Sequence, residues 1–250
     1  MNIIHNDDNI RKRYKTIFKI SKYVKILKSI DDNNQLVIFK KLKSHEIIEI
    51  EIYNKIQNKY GETKHLSYML NSDINHIMLK YINNSKQFLN IIKSKKQMFN
   101  RIILSCKDLI KIFSDCLKGL KILHEFGYLH YDIAPRNILV LFKKTSHGNL
   151  IGNNSIIEKA TLIDFGEAKV IIKDVHTPEK DFTQLMYSII CYIDNNFYKH
   201  IYNFKINNCL YILDKDEDKN HFLQYIMLLV HLYPEYNDIF NKIFCENLIF

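Results

Sequence analysis

The sequence predicts an α+β fold in which a small antiparallel sheet comes first and mostly helical chain follows. Three short apolar runs lie in residues 16–42 and are separated by polar turn residues, a pattern typical of strands. In residues 109–123 apolar side chains recur every three or four positions, which predicts a helix with one buried face. Two more helical patterns flank Pro234. A chain of 250 residues can form one two-lobed unit or two small domains.

Composition restricts the class of protein. The formal net charge is +9, and the lysines are spread along the chain, which favours a basic solvated surface over a dedicated nucleic-acid site. Such a surface would still attract RNA or acidic proteins in a salt-sensitive way. No run of about eighteen uncharged apolar residues occurs, and the five cysteines form no Cys-x-x-Cys pair. We expect an intracellular monomer in the cytoplasm or nucleus, without membrane association, disulfide framework or zinc site.

In the predicted sheet, the third strand carries the first candidate site residue. Lys40 alternates with Ile38 and should therefore face inward, whereas Lys41 should face outward. A helix is expected next, over residues 45–58 with Ser44 as its cap. The apolar run 76–82 predicts the last strand of this sheet. The lysine-rich stretch 83–100 predicts a connector and a short surface helix.

The helix over residues 109–123 should end at Gly127, which can adopt the left-handed conformation of a helix terminus. The apolar runs 138–142 and 160–163 should pair as a hairpin. That hairpin would present Asn137 and Asp164 from neighbouring strand ends. Together with Asp132, they supply the oxygen ligands that Mg²⁺ prefers.

Two segments, His130-Tyr131-Asp132-Ile133-Ala134-Pro135-Arg136-Asn137 and Asp164-Phe165-Gly166, resemble the catalytic loop and the Asp-Phe-Gly motif of the protein-kinase superfamily. The resemblance covers roughly residues 17–190. It implies a two-lobed fold, with residues 1–82 as the N-lobe and 83–250 as the C-lobe, and ATP and Mg²⁺ as cofactors.

The resemblance also implies a role for each matching residue. Asp132 would be the catalytic base, and Asn137 and Asp164 would hold Mg²⁺. Lys40 would bind the α- and β-phosphates with Glu49 as its partner, and Glu46 and Glu51 remain alternatives for that pairing. The remaining implied roles belong to Leu79 at the back of the adenine pocket, to Lys80, Tyr81 and Ile82 as main-chain contacts for adenine, and to Asp181 as a brace under the catalytic loop. The run that contains Leu79 is equally compatible with an ordinary core strand.

Departures from the family pattern concern the phosphate cover, the catalytic loop and the substrate shelf. No glycine precedes Gly61, so the glycine-rich loop is missing and residues 21–23 occupy its turn. Tyr131 replaces the usual Arg of the catalytic loop. Arg136 lies where tyrosine kinases have an Arg, either as a charge-stabilising cation or as a structural salt-bridge partner. The segment after Gly166 is short and lacks Ala-Pro-Glu.

Three functions follow from the resemblance. The first is an ATP-dependent protein kinase that transfers the γ-phosphoryl group to a Ser or Thr hydroxyl, or less readily to Tyr, of a protein substrate. A pseudokinase-type binding module would explain the missing glycines. A compact kinase similar to the RIO type, or a small-molecule kinase, would explain the short segment after Gly166, and the basic surface would suit an RNA-bound partner.

Overall fold

The computed structural model describes residues 13–30, 35–94, 102, 104, 106–143, 156–172, 175–176 and 178–193. The chain divides into two compact units, Met1–Ile189 and Ile190–Phe250. The site and its supporting elements lie in the first unit. The helices predicted around Pro234 and the turn at residues 31–34 lie outside the described residues.

The first part of the chain forms a five-stranded antiparallel sheet with the strand order β1-β2-β3-β5-β4. On the face of the sheet opposite to Lys40, the buried residues Leu27, Val37, Phe39 and Met78 pack together. The three strands predicted in residues 16–42 and the last strand predicted near residues 76–82 are confirmed, whereas β4 was not predicted. The bounds of the five strands are β1 Tyr14–Lys19, β2 Val24–Ser29, β3 Leu36–Lys41, β4 Met69–Ser72 and β5 His76–Lys80.

Helix α1, Ile48–Tyr60, connects β3 to β4. The prediction that Ser44 caps this helix is wrong. Ser44–Ile47 instead form a 3₁₀ turn, and the carboxylate of Glu46 accepts the backbone N–H of Lys43 at 2.7 Å. A carboxylate can satisfy a free N–H at this end as well as a hydroxyl can, because the helix N-terminus favours negative charge.

After β5 the chain forms β6, Ser85–Gln87, and helix α2, Phe88–Ser94. The predicted surface helix is wrong in its exposure, because Phe88, Ile91 and Ile92 are almost fully buried. The many lysines around it concealed a short apolar face. Helix α3, Cys106–Glu125, follows and ends before Gly127, which has φ +77° as predicted.

The predicted hairpin is confirmed as β8, Ile138–Phe142, paired antiparallel with β9, Ile157–Leu162. Strand β6 joins it to make a three-stranded sheet, and β7, Tyr128–Leu129, pairs with β10, Lys169–Val170. Helix α4, Pro178–Ile193, begins soon after. Gly119 in α3 lies so close to the chain at His65 that an added Cβ would be 2.9 Å from the carbonyl oxygen of that residue. The missing side chain lets α3 approach the segment that leads to β4 closely.

Among the described residues, no helix is long and apolar enough to cross a membrane.

Candidate active site

Lys40 lies at the centre of a buried charge cluster. Its ammonium group is 2.6 Å from Glu49 Oε2 and 2.6 Å from Asp164 Oδ1, and Glu46 Oε1 lies 3.8 Å away. Lys41 on the next position is exposed, so the predicted inward register of Lys40 is confirmed. Of the three glutamates considered as its partner, Glu49 makes the hydrogen bond and is completely buried.

The electrostatics of this cluster depend on burial and on the mutual contacts. Burial raises the pKa of Glu49 to about 7, although the charge of Lys40 opposes that shift. Burial alone would lower the pKa of Lys40, but the two carboxylates outweigh it, so its pKa lies above the usual value. Burial likewise opposes ionisation of Asp164, and Lys40 reverses this so that the pKa of Asp164 is lowered. Lys40 therefore stays a cation that two carboxyl groups share.

Asp132 lies in the loop that precedes the 3₁₀ turn Pro135–Asn137. Both of its carboxylate oxygens are bonded to Arg136 Nη2, at 2.6 and 2.7 Å. The amide nitrogen of Asn137 also donates to Asp132, at 2.9 Å to Oδ2 and 2.9 Å to the backbone carbonyl. Arg136 thus has the salt-bridge contact that was one of its two alternatives, and the carboxylate of Asp132 is held in one orientation.

The donor set near Asn137 and Asp164 suits a hard cation. The backbone N–H of Ile163 donates to the carbonyl of Asn137 at 3.0 Å. This bond brings the backbone of Asn137, just before β8, close to that of Asp164, just after β9. The side chain of Asp164 is 46% exposed, so water-borne ions reach it. Because the Asn137 nitrogen is used by Asp132, its amide oxygen is the atom that would bind a cation. Carboxylate and amide oxygens are suitable Mg²⁺ ligands.

Two non-glycine residues of this site have left-handed backbone conformations, Tyr131 at φ 65° and Asp164 at φ 69°. Such conformations cost free energy for residues with a Cβ and persist where neighbouring contacts hold them. Tyr131 is held through its N–H, which donates to Asp181, and through its carbonyl, which accepts from Gln184 at 3.1 Å. Asp164 is held by its bond to Lys40.

Asp181 is completely buried under the loop 130–137, where it was predicted to lie. Its oxygens accept the backbone N–H groups of His130 and Tyr131, each at 2.8 Å, and His124 Nε2 is 2.9 Å away. Gln184, one turn later on α4, accepts the N–H of Ile133 at 3.0 Å. Gln184 was not predicted as a site residue, although its spacing of three residues from Asp181 places both on one helix face.

The predicted adenine-binding residues lie at the end of β5 and in the chain that follows. Leu79 is buried in the sheet at 7% exposure, and Tyr81 and Ile82 are half-buried. The backbone N–H of Lys80 donates to Tyr68 at 2.9 Å, and the carbonyl of Ile82 accepts the Ser85 hydroxyl at 2.7 Å. Main-chain contacts to adenine from residues 80–82 would therefore use backbone groups other than the Lys80 N–H and the Ile82 carbonyl.

The turn between β1 and β2, where the family has its glycines, is closed on itself. The Ser21 hydroxyl accepts the backbone N–H groups of Tyr23 and Val24, each at 3.1 Å. The N–H groups of Ile20 and Ser21 bond to the carbonyl of Val24 at 3.0 and 3.1 Å. A phosphate cradle needs free backbone N–H groups, and these four are engaged.

Comparison with known proteins gives distant partial matches. No family model matches the chain. "Probable serine/threonine-protein kinase fnkE" of Dictyostelium discoideum is 31% identical over 135 residues, which are 54% of this chain and 9% of that protein. "Inactive tyrosine-protein kinase 7" of Homo sapiens is 26% identical over 152 residues, 60% of this chain and 13% of that protein. The chain thus covers about a tenth of the length of these two relatives.

A solved structure supports the fold. "Crystal structure of Rad53 kinase domain and SCD2" superposes with a TM-score of 0.52 and 16% sequence identity, over 74% of this chain and 63% of that one. An α+β kinase-like fold agrees with the antiparallel sheet followed by helices described above. The relatives are protein kinases and an inactive kinase, and the structural neighbour contains a kinase domain. The chain therefore has an α+β kinase-like fold, and its sequence is distantly similar to protein kinases over part of its length.

Proposed function

We propose that this chain is an ATP-dependent protein kinase that transfers the γ-phosphoryl group to a Ser or Thr hydroxyl of a protein substrate. The observation that carries the proposal is the Lys40 cluster. One cation contacts the helix carboxylate Glu49 and the Asp-Phe-Gly carboxylate Asp164 at 2.6 Å each, across three separate segments of the chain. Phosphoryl transfer depends mostly on positioning and electrostatic stabilisation. This cluster would supply a fixed positive charge at Lys40 and a carboxylate at Asp164.

Each residue would contribute one task. Lys40 would bind the phosphates, and Glu49 would hold it in place. Asp132 would orient the acceptor hydroxyl and accept its proton, with Arg136 fixing both carboxylate oxygens. Asn137 and Asp164 would hold Mg²⁺, which supplies positive charge to the phosphate oxygens when bound. The names of relatives such as fnkE favour Ser or Thr as the acceptor.

A phosphate-transfer assay tests the proposal. The purified chain is incubated with Mg²⁺ and ATP, with a mixture of generic proteins and alone, and phosphoamino acids are identified. We expect phosphoserine or phosphothreonine from the parent and a loss of at least about a hundredfold with Asp132→Asn, since general-base catalysis contributes roughly 10²–10⁴. Equal transfer by both proteins would exclude Asp132 as the base. Phosphotyrosine alone would change the acceptor class.

A second candidate is a binding module without turnover, and the closed β1–β2 turn favours it. Ser21 occupies two backbone N–H groups that would otherwise approach phosphate. One relative is also named as inactive. Calorimetric titration with Mg²⁺-ATP, combined with the transfer assay, decides between the two. Binding without transfer to protein supports the module, and transfer only to a small molecule or to an RNA-bound partner supports the compact kinase alternatives.

A further inference from the structure

Helix α1 carries Glu49, and it is joined to the helical part of the chain through one buried tyrosine. Tyr128 is only 3% exposed, yet its hydroxyl reaches two side chains of α1. It accepts from Lys55 Nζ at 2.7 Å and donates to Glu51 Oε1 at 2.7 Å. Lys55 and Glu51 are themselves 2.9 Å apart, one turn from each other on the helix.

The three groups form a closed arrangement. Lys55 Nζ also lies over the Tyr128 ring, 4.9 Å from its centroid. Burial raises the pKa of the Tyr128 hydroxyl above its ordinary value. An exposed Glu–Lys pair on a helix stabilises little by itself. A hydroxyl on a buried ring must find partners, so the contacts to Tyr128 give this pair a fixed direction toward the C-lobe.

A second contact lies at the end of the same helix. The Tyr60 hydroxyl donates to Glu125 Oε2 at 2.6 Å, and the Tyr60 ring packs edge-on against Phe126 with the ring centroids 6.0 Å apart. Glu125 is the last residue of α3. Both contacts therefore reach the segment 125–128, immediately before the catalytic loop that starts at His130.

These positions connect α1 to the candidate active site from both ends. Glu51 is two residues from Glu49, which bonds Lys40, and Tyr128 is two residues from His130, whose N–H is held by Asp181. Glu49, Glu51 and Lys55 belong to the same helix, so contacts that fix α1 at Tyr128 also restrict where Glu49 lies.

We propose that Tyr128 is a positioning residue that holds α1 against the chain leading into the loop 130–137 and thereby keeps Glu49 within hydrogen-bond distance of Lys40. The consequence for activity rests on the proposed function, because it requires Lys40 to bind phosphate. The consequence for the helix does not, because it concerns only the contacts of Tyr128, Glu51 and Lys55.

The test replaces Tyr128 with Phe, which keeps the ring and removes the hydroxyl. Amide hydrogen exchange is measured by mass spectrometry without nucleotide. We expect residues 48–60 to exchange about fivefold faster in Tyr128→Phe, the effect of losing net hydrogen-bond stabilisation of a local opening. Lys55→Met should give a similar increase in exchange. The double variant should exchange no faster than either single variant, because each of the three variants removes the same joint contact. Tyr14→Phe, the same change in strand β1, is the matched control and should leave exchange in residues 48–60 unchanged.

Affinity for Mg²⁺-ATP is then measured on the same proteins. We expect it to fall several-fold in Tyr128→Phe and to stay at the parent level in Tyr14→Phe. Unchanged exchange in residues 48–60 would overturn the proposal, as would faster exchange with unchanged ATP affinity, because the helix would then open without moving Lys40. If the parent itself does not bind ATP, the proposed function fails, whereas the exchange result still decides whether Tyr128 holds the helix.

Discussion

Replacing Asp181 with Ala should lower both stability and activity, because this carboxylate holds the catalytic loop from below. It is completely buried and accepts the backbone N–H groups of His130 and Tyr131. Alanine would leave those two buried donors without a partner. Each unsatisfied buried donor costs roughly 1–3 kcal/mol, so the substitution should cost about 2–6 kcal/mol.

For a unit of this size, 1 kcal/mol corresponds to a shift in melting temperature of about 2–4 °C, so a loss near 4 kcal/mol predicts a decrease of about 8–16 °C. Thermal unfolding followed by circular dichroism measures this shift. Turnover should fall at temperatures where the variant is still folded, because Tyr131 is held in a left-handed conformation partly by its bond to Asp181. Asp132 follows it directly in the chain.

The matched control is Asp132→Asn, which changes a partly exposed carboxylate one residue beyond Tyr131. It should lose activity but lower the melting temperature less than Asp181→Ala does, because the amide oxygen of asparagine can still accept a hydrogen bond from Arg136. If Asp181→Ala melts like the parent, the three contacts to Asp181 do not stabilise the loop. If it melts lower but keeps full turnover when folded, Asp181 has a structural role only.

Three further outcomes can be measured. Asp164→Ala should abolish Mg²⁺-dependent nucleotide binding in calorimetry while circular dichroism stays unchanged, and equal affinity would remove the metal role of this residue. Gly119→Ala should destabilise by about 1–3 kcal/mol in urea unfolding, because its Cβ would press on the His65 carbonyl at 2.9 Å, and an unchanged midpoint would mean that α3 shifts freely. Folding raises the pKa of Glu49 from 4.5 to about 7, so between these pH values the folded state binds a proton that the unfolded state has lost. The contribution of Glu49 to the free energy of unfolding is therefore fully present below pH 4.5 and is lost as the pH rises toward 7. Glu49→Gln should flatten that decline in urea midpoints, and an unchanged slope would contradict the shift.

Much of the local structure could be predicted because it depends on local chemistry. The alternation of Ile38 and Lys40 along β3 determines which face each side chain occupies, and the structure confirms it. The left-handed end of α3 at Gly127 follows from the freedom of glycine. The exposure of α2 was predicted wrongly, since Phe88 and Ile91 are buried. Average polarity over residues 83–100 concealed that short apolar face.

Some residues of the candidate site could be predicted from the sequence, and others could not. Asp132, Asn137 and Asp164 could be named from their motifs, whereas their roles stay predictions. Three glutamates lay within reach of Lys40 by sequence. The choice of Glu49 as the residue hydrogen-bonded to Lys40 depends on how α1 packs against β3 and the segment at Phe165, whose N–H donates to Glu49 at 3.2 Å.

The sequence by itself therefore predicted strands β1, β2, β3 and β5, helix α3, the β8–β9 hairpin and the inward register of Lys40, because these depend on neighbours within a few positions. Only the tertiary structure decided that Tyr128 reaches across to Lys55, because this contact joins residues 73 positions apart. It is selected by the packing of whole elements, which no local pattern in the chain encodes.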